Sequence, residues 1–161
     1  MKDKKKIIVL AGIAAVLAIA MQVFAKPFRV RGDCMAPAIN DGQWCFVNRA
    51  ASWSFEPVRG EIVMFDHETK TWVSRVVAVA GDEIQIDEGS IAVNGKVLTE
   101  KGVERDWTAW RQGSYAIDQP CRVPPGHMFV LSDKLSAQSD DSRVFGPIKI
   151  SRVVGRPLFG N

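Results

Sequence analysis

Two hydrophobic patterns divide the chain. Residues 7–25 form an uncharged run of 19 positions in which Gln22 is the single strongly polar side chain. At about 1.5 Å per residue, a helix over this run would be roughly 28 Å long, close to the hydrocarbon thickness of a bilayer. The pattern predicts a transmembrane helix over 7–25.

After residue 26 the pattern changes to short β-branched and aromatic runs separated by Gly, Asp, Asn and Pro. The segment Val93-Asn94-Gly95-Lys96 predicts a tight hairpin, because Asn-Gly supplies the positive φ angles of a type I′ turn. Residues 100–120 look like an irregular loop. Residues 26–161 are therefore expected to form a mostly β domain. Its predicted strands are 28–31, 43–48, 61–66, 71–80, 83–87, 90–93, 128–131 and 153–157.

The charge distribution orients this arrangement. The formal net charge is +3, and the first six residues, with four Lys and one Asp, carry all of it. The remainder is balanced, so no basic face is implied and nucleic acid is excluded as a partner. Lysines before an apolar span stay in the cytoplasm, which makes 1–6 a cytoplasmic tail and 26–161 extracytoplasmic. A signal peptide cleaved after Ala25 is the alternative, but the run is long for one.

A short segment carries the first chemical signal. Residues 30–42 resemble the nucleophile box of type I signal peptidases, Gly-x-Ser-Met-x-Pro-Thr-Leu followed by Gly-Asp. Gly32, Met35, Pro37 and Gly42 match that box, and Cys34 stands where the family has its serine.

Two further boxes follow in the family's order. Residues 74–82 resemble Lys-Arg-Val-Val-Gly-Leu-Pro-Gly-Asp, with Arg75 matching and Ser74 at the lysine position. Residues 139–148 resemble Ser-x-Asp-Ser-Arg-x-Phe-Gly-x-Val, with Ser139, Asp141 and Arg143 matching. The resemblance spans 7–157. It implies a coiled β-sheet domain on one transmembrane helix in the plasma membrane, acting on signal peptides of exported preproteins without a cofactor or metal.

The resemblance also implies a chemistry that this chain lacks in part. In the family a serine hydroxyl attacks the peptide carbonyl, and a neutral lysine accepts its proton. A thiol at Cys34 has an ordinary pKa of roughly 8.5 and is only slightly ionised at neutral pH. A hydroxyl at Ser74 does not accept a proton there. General-base assistance contributes about 10²- to 10⁴-fold, so serine–lysine catalysis is not expected.

Three other side chains are candidate replacement bases: His67, Lys70 and His127. Lys70 lies four strand residues before Ser74, about 13 Å away. His67 is expected opposite Trp72 across a hairpin turn. All three are typical of solvated turn residues.

The remaining matches are given supporting roles by the resemblance. Asp141 and Arg143 are expected to form an ion pair beneath the site, and Arg75 is expected to be structural. Ser139 matches a serine that orients the family's lysine. Gly32 offers no side-chain donor for an oxyanion.

The cysteines and aromatic residues leave alternatives open. Cys45 and Cys121 can pair and leave Cys34 free, or Cys34 can itself be part of a disulfide. A zinc site lacks the usual ligand spacing. Trp44 and Phe46 fit core packing as well as they fit membrane contact, whereas membrane contact is expected for Trp53 and Phe55.

Three functions follow from these observations. The first is a signal-peptidase-like endopeptidase with weak or cysteine-based activity. The second is a non-catalytic homologue that binds signal-peptide-like or pilin segments and assists export or surface assembly. The third is a membrane-anchored β domain with an unrelated binding role. The oligomeric state is left open.

Overall fold

The computed structural model describes residues 2–49, 55–87, 90–98, 120–134 and 140–159. The described residues are mostly β after the first helix, as the sequence predicts. Their elements are α1 (Lys2–Phe24), β1 (Ala25–Arg29), β2 (Trp44–Asn48), β3 (Ile62–His67), β4 (Lys70–Val79), β5 (Glu83–Asp87), β6 (Ser90–Val93), β7 (Lys96–Val97), β8 (Cys121–Arg122), β9 (His127–Leu131), α2 (Ser142–Phe145), β10 (Ile148–Lys149), a 3-10 turn (Ile150–Arg152) and β11 (Val153–Phe159).

The strands form two antiparallel sheets. The larger has the order β1-β2-β11-β3-β4-β9-β10, and the smaller has the order β7-β6-β5-β8. Apolar side chains pack on both faces of the larger sheet. One face includes Val63, Phe65 and Val76, and the opposite face includes Met64 and Val73. This alternation on β3 and β4 decides which side chains reach the site.

All eight predicted strands are found, with ends that shift by up to three residues. The predicted hairpin is also confirmed, since Asn94 and Gly95 have φ angles of 51° and 76° between β6 and β7. The two-residue strands β7, β8 and β10 and the one-turn helix α2 were not predicted, because segments this short have no measurable period. The irregular loop predicted over 100–120 lies almost wholly outside the described residues.

Helix α1 leads directly into the sheet, because β1 begins at the residue after Phe24. Its side chains from Lys4 to Val16 are exposed. A search of the described residues finds no helix long and apolar enough to cross a membrane.

Strand β11 joins the two parts of the large sheet by pairing with β2 on one side and β3 on the other. A register shift lies between Val153 and Gly155. A Cβ at Gly155 would stand 2.4 Å from the carbonyl oxygen of Asn48. Glycine is therefore required there for the close approach of β2.

Candidate active site

The segment between β1 and β2 presents Cys34. Its ends are joined by hydrogen bonds of 2.9 Å from the Val30 N–H to the Gln43 carbonyl and from the Gly42 N–H to the Val30 carbonyl. Met35 and Ile39 are fully buried and anchor the segment in the core. Cys34 is thus held on a short, closed loop and not on a free strand end.

Three residues that match the nucleophile box, Gly32, Met35 and Pro37, differ in conformation and burial. Gly32 has a φ of 94°, and its N–H donates to Asp41 at 2.7 Å, so this amide is already occupied. Pro37 is exposed and follows a cis peptide bond from Ala36. Met35 packs inward directly after Cys34.

Cys34 opens onto a groove of about 610 Å³. One wall comes from the end of β1 and the residues that follow it, and the other comes from β4. The lining residues are Phe28, Arg29, Val30, Arg31, Cys34, Lys70, Thr71, Trp72 and Val73.

The β4 wall of this groove has an unpaired strand edge. β3 pairs with Lys70–Arg75 on one side, whereas β9 on the other side pairs only with residues from Arg75 to Val79. Among the described strands none pairs with the second edge of residues 70–74. Unpaired N–H and C=O groups of this kind can accept an additional extended chain.

Ser74 is not among the residues that line the groove. Its strand neighbour Val76 and its cross-strand partner Val63 pack on one face of the sheet, and alternation places Ser74 on that face too. Val73, on the opposite face, packs in the cluster that Cys34 contacts. The Ser74 hydroxyl is buried and has no hydrogen-bond partner among the described residues, Cys34 included.

The electrostatic surroundings keep the thiol protonated. Burial raises the pKa of the Cys34 thiol above its ordinary value, and its own backbone N–H opposes this rise only in part. The negative charges of Asp33, Asp141 and Asp133 raise that pKa further. A reactive cysteine requires the opposite environment, with a nearby cation that stabilises the thiolate.

Asp141 and Arg143 form a buried ion pair, with an Nε–Oδ1 distance of 2.6 Å. Asp141 also caps α2 by accepting the Arg143 N–H and receives the N–H of Ser132 at 3.0 Å. The carboxylate therefore ties α2 to the end of β9. Ser139, which the sequence placed in the same box, lies outside the described residues.

Arg75 connects β4 to the residues that follow β9. It donates to Asp133 at 2.7 Å through Nε and to the carbonyl of Gly60 at 2.7 Å through a terminal nitrogen. Asp133 is buried, so this pair fixes the chain after β9 against the middle of β4.

Lys134 is a residue that sequence reasoning did not single out. Its N–H donates to the Cys34 carbonyl at 2.8 Å, and its ammonium forms an ion pair with Asp33. The backbone of Lys134 is thus hydrogen-bonded to the backbone of Cys34, and its ammonium pairs with the carboxylate of the residue before Cys34. No sequence pattern indicated this residue, because the pairing with Asp33 spans 101 positions in the sequence.

The three candidate replacement bases, His67, Lys70 and His127, lie in different parts of the structure. The prediction that His67 faces Trp72 is wrong, because the turn is shorter and His67 pairs with Lys70. His67 instead stacks on Phe145. Lys70 reaches the groove lining, with its ammonium 5.6 Å from the centre of the Trp72 ring. His127 contacts the Pro125 carbonyl at 2.9 Å.

All three cysteines are free thiols. The described residues contain no cluster of His, Cys, Asp and Glu that would hold a metal ion. The disulfide pairings raised by the sequence are therefore not formed in this structure.

The aromatic residues that follow the Cys34 loop do not all have the burial that the sequence predicts. Trp44 and Phe46 are 61% and 50% exposed on the outer face of β2, so core packing is excluded for them. Phe55 is 6% exposed and belongs to the core, which makes the expectation of membrane contact wrong for it. Trp53 lies outside the described residues.

Comparison with known proteins shows which family the chain resembles. Residues 4–159 match the model of the family described as signal peptidase, peptidase S26. Signal peptidase I of Bacillus licheniformis is 30% identical over 91% of this chain and 82% of its own length. Signal peptidase I of Bacillus caldolyticus is 31% identical over 91% of this chain and 84% of its own length.

A solved structure is also similar. The crystal structure of a signal peptidase I from Enterococcus faecalis V583 shares 25% identity and covers 63% of this chain and 96% of its own, with a TM-score of 0.49. On the family match over nearly its whole length, this chain belongs to the signal peptidase, peptidase S26 family.

Proposed function

We propose that this protein binds signal peptides of exported proteins in the groove beside Cys34 and cleaves them weakly or not at all. The proposal rests on the environments of Cys34 and Ser74, which stand where the family has its serine and its lysine. Ser74 has a buried hydroxyl without a hydrogen-bond partner among the described residues, and the pKa of the Cys34 thiol is raised. Burial and the carboxylates of Asp33, Asp141 and Asp133 cause this rise.

The groove itself supports peptide binding. An extended segment can pair with the unpaired edge of residues 70–74, so that backbone hydrogen bonds give affinity without any chemistry at the thiol. Val30 and Val73 offer an apolar floor for small side chains such as the alanines of a signal-peptide end.

A location at the plasma membrane is part of the proposal. Residues 7–25 would anchor the chain with 1–6 in the cytoplasm and 26–161 outside, because lysines precede the apolar run. The exposed side chains of Trp44, Phe46 and Leu158 support membrane contact next to the anchor, since Phe46 pairs with both Pro27 and Leu158.

The experiment measures binding and cleavage on the same sample. The full chain in lipid nanodiscs is titrated with a fluorescent peptide that ends in an Ala-x-Ala site, and the mixture is then incubated to detect product. We expect saturable binding with little product. Two control peptides with the same side chains carry N-methyl groups at alternate residues, in the two possible registers. The peptide methylated in one of the two registers should bind more weakly, because its methyl groups replace the backbone N–H donors that a paired strand needs.

Rapid cleavage abolished by Cys34→Ala would replace this proposal with the cysteine peptidase. Equal binding of all three peptides would exclude strand pairing.

A further inference from the structure

The groove beside Cys34 is apolar at its floor but cationic at both walls. Arg29 and Arg31 lie two residues apart on one wall, and Lys70 lies on the other. None of the nine lining residues is acidic. A bound peptide would therefore pass between positive charges.

These cations are not neutralised by carboxylates. Arg29 donates through Nε to the Gly42 carbonyl at 3.2 Å, and Lys70 lies against the Trp72 ring. Within the described parts of the chain, neither of them nor Arg31 forms a salt bridge.

The acidic side chains close to the groove have other partners. Asp33 is paired with Lys134, and Asp41 accepts the N–H of Gly32. Asp66 accepts the hydroxyl hydrogen of Thr71 at 2.6 Å. Among the described residues none of these carboxylates forms an ion pair with Arg29, Arg31 or Lys70, so the three cationic groups are open to a carboxylate of a ligand.

We infer that the groove selects extended peptides that carry Asp or Glu beside their small apolar residues. This inference rests on the proposed function and names the substrate class. An extended peptide places alternate side chains on opposite sides, so a carboxylate next to a small residue can approach Arg31 or Lys70 while the small residue meets Val73. A lipid surface is a less suitable occupant, because the cations line a concave groove with an unpaired strand edge.

The test compares two Ala-x-Ala peptides of equal length in zwitterionic nanodiscs. One carries Glu at the flanking positions, and the other carries Gln. Exposed charge pairs are modest, so we expect the acidic peptide to bind about fivefold tighter at low ionic strength, with the preference falling towards unity in about 0.5 M salt. Arg31→Gln and Lys70→Gln should each reduce the preference, because each weakens binding of the Glu peptide more than binding of the Gln peptide. Lys149→Gln, an exposed lysine on β10, is the matched control and should change neither.

The outcomes separate this inference from the proposed function. Equal binding of both peptides overturns the inference and leaves the proposed function standing, whereas binding of neither peptide contradicts both. If Arg31→Gln and Lys70→Gln weaken binding to phosphatidylglycerol vesicles but leave the peptide preference intact, the cations serve a lipid surface and the inference is wrong.

Discussion

Val73 and Ser74 are neighbours on β4 whose side chains face opposite sides of the sheet. Val73 packs with the cluster that Cys34 contacts, whereas Ser74 lies among the side chains of the other face. A lysine offers a basic nitrogen on a flexible four-carbon stem. A serine offers neither the nitrogen nor the length, so the substitution removes the base that the family's chemistry requires.

The raised pKa of Cys34 predicts a thiol that reacts slowly. In a Cys45→Ser/Cys121→Ser background, iodoacetamide should modify Cys34 more slowly at pH 7.5 than it modifies the same chain in urea. The rate should continue to rise above the ordinary pKa of a cysteine, because burial and three carboxylates favour the protonated form.

Asp33→Asn provides the complementary test. It removes one of the charges that raise the Cys34 pKa and releases Lys134, so alkylation at pH 7.5 should become several-fold faster. Glu83→Gln, which lies on β5 away from the groove lining, is the control. An unchanged rate in Asp33→Asn would show that the charge of Asp33 does not contribute to the raised pKa of Cys34.

Arg75 is predicted to stabilise the fold. Arg75→Met leaves the buried carboxylate of Asp133 without its cation and should lower the free energy of unfolding by about 3 kcal/mol. Urea denaturation measures this loss. Lys149→Met removes an exposed cation and should change stability by less than about 0.5 kcal/mol. Equal effects would refute the structural role.

Asp82 gives a pH-dependent prediction. Burial raises its pKa, but hydrogen bonds from Arg59, the Val79 N–H and Asn94 outweigh burial, so the pKa is lowered overall. A lowered carboxyl pKa contributes stability above the unfolded pKa of about 4, and this contribution is lost as the pH falls through the folded pKa. The stability difference between wild type and Asp82→Asn should therefore be largest above pH 5 and shrink towards pH 3. A difference that stays constant would contradict the assignment.

Trp44 is predicted to contact lipid. In nanodiscs that contain brominated lipid, Trp44→Phe should remove a large part of the quenchable tryptophan fluorescence, because the side chain is exposed beside Phe46 and Leu158. Trp72→Phe is the matched control, since that ring packs against Phe145. If Trp72→Phe loses more quenching than Trp44→Phe, the lipid contacts a different surface of the protein.

The fold could be predicted largely from the sequence because its strands carry strong local signals. Short β-branched runs between turn residues located strands such as 83–87 and 90–93, and Asn94-Gly95 located a turn. The short strand β10 escaped prediction because only its pairing with β9 defines it. The site was harder to predict. Motif order identified Cys34 and Ser74, but only the sheet register shows that Ser74 and Val73 lie on opposite faces of the sheet.

The wrong prediction for Phe55 and the missed contact of Lys134 also arise because the local sequence does not show tertiary contacts. Phe55 and Trp44 have similar surroundings in the sequence, yet one is buried and the other exposed, because burial depends on which sheet face receives each side chain. Lys134 approaches Cys34 through a contact between residues 100 positions apart, and no local pattern reports such a distance.

The most direct test of the central claim is the rate at which an Ala-x-Ala preprotein is cleaved by four proteins: wild type, Cys34→Ala, Cys34→Ser/Ser74→Lys and Cys34→Ser/Ser74→Met. The methionine variant fills the same space without an amine. We predict that wild type and Cys34→Ala are equally slow and that the lysine variant alone is faster, by about 10²-fold or more. Rapid cleavage by wild type that disappears in Cys34→Ala would contradict the account, whatever the lysine variant does.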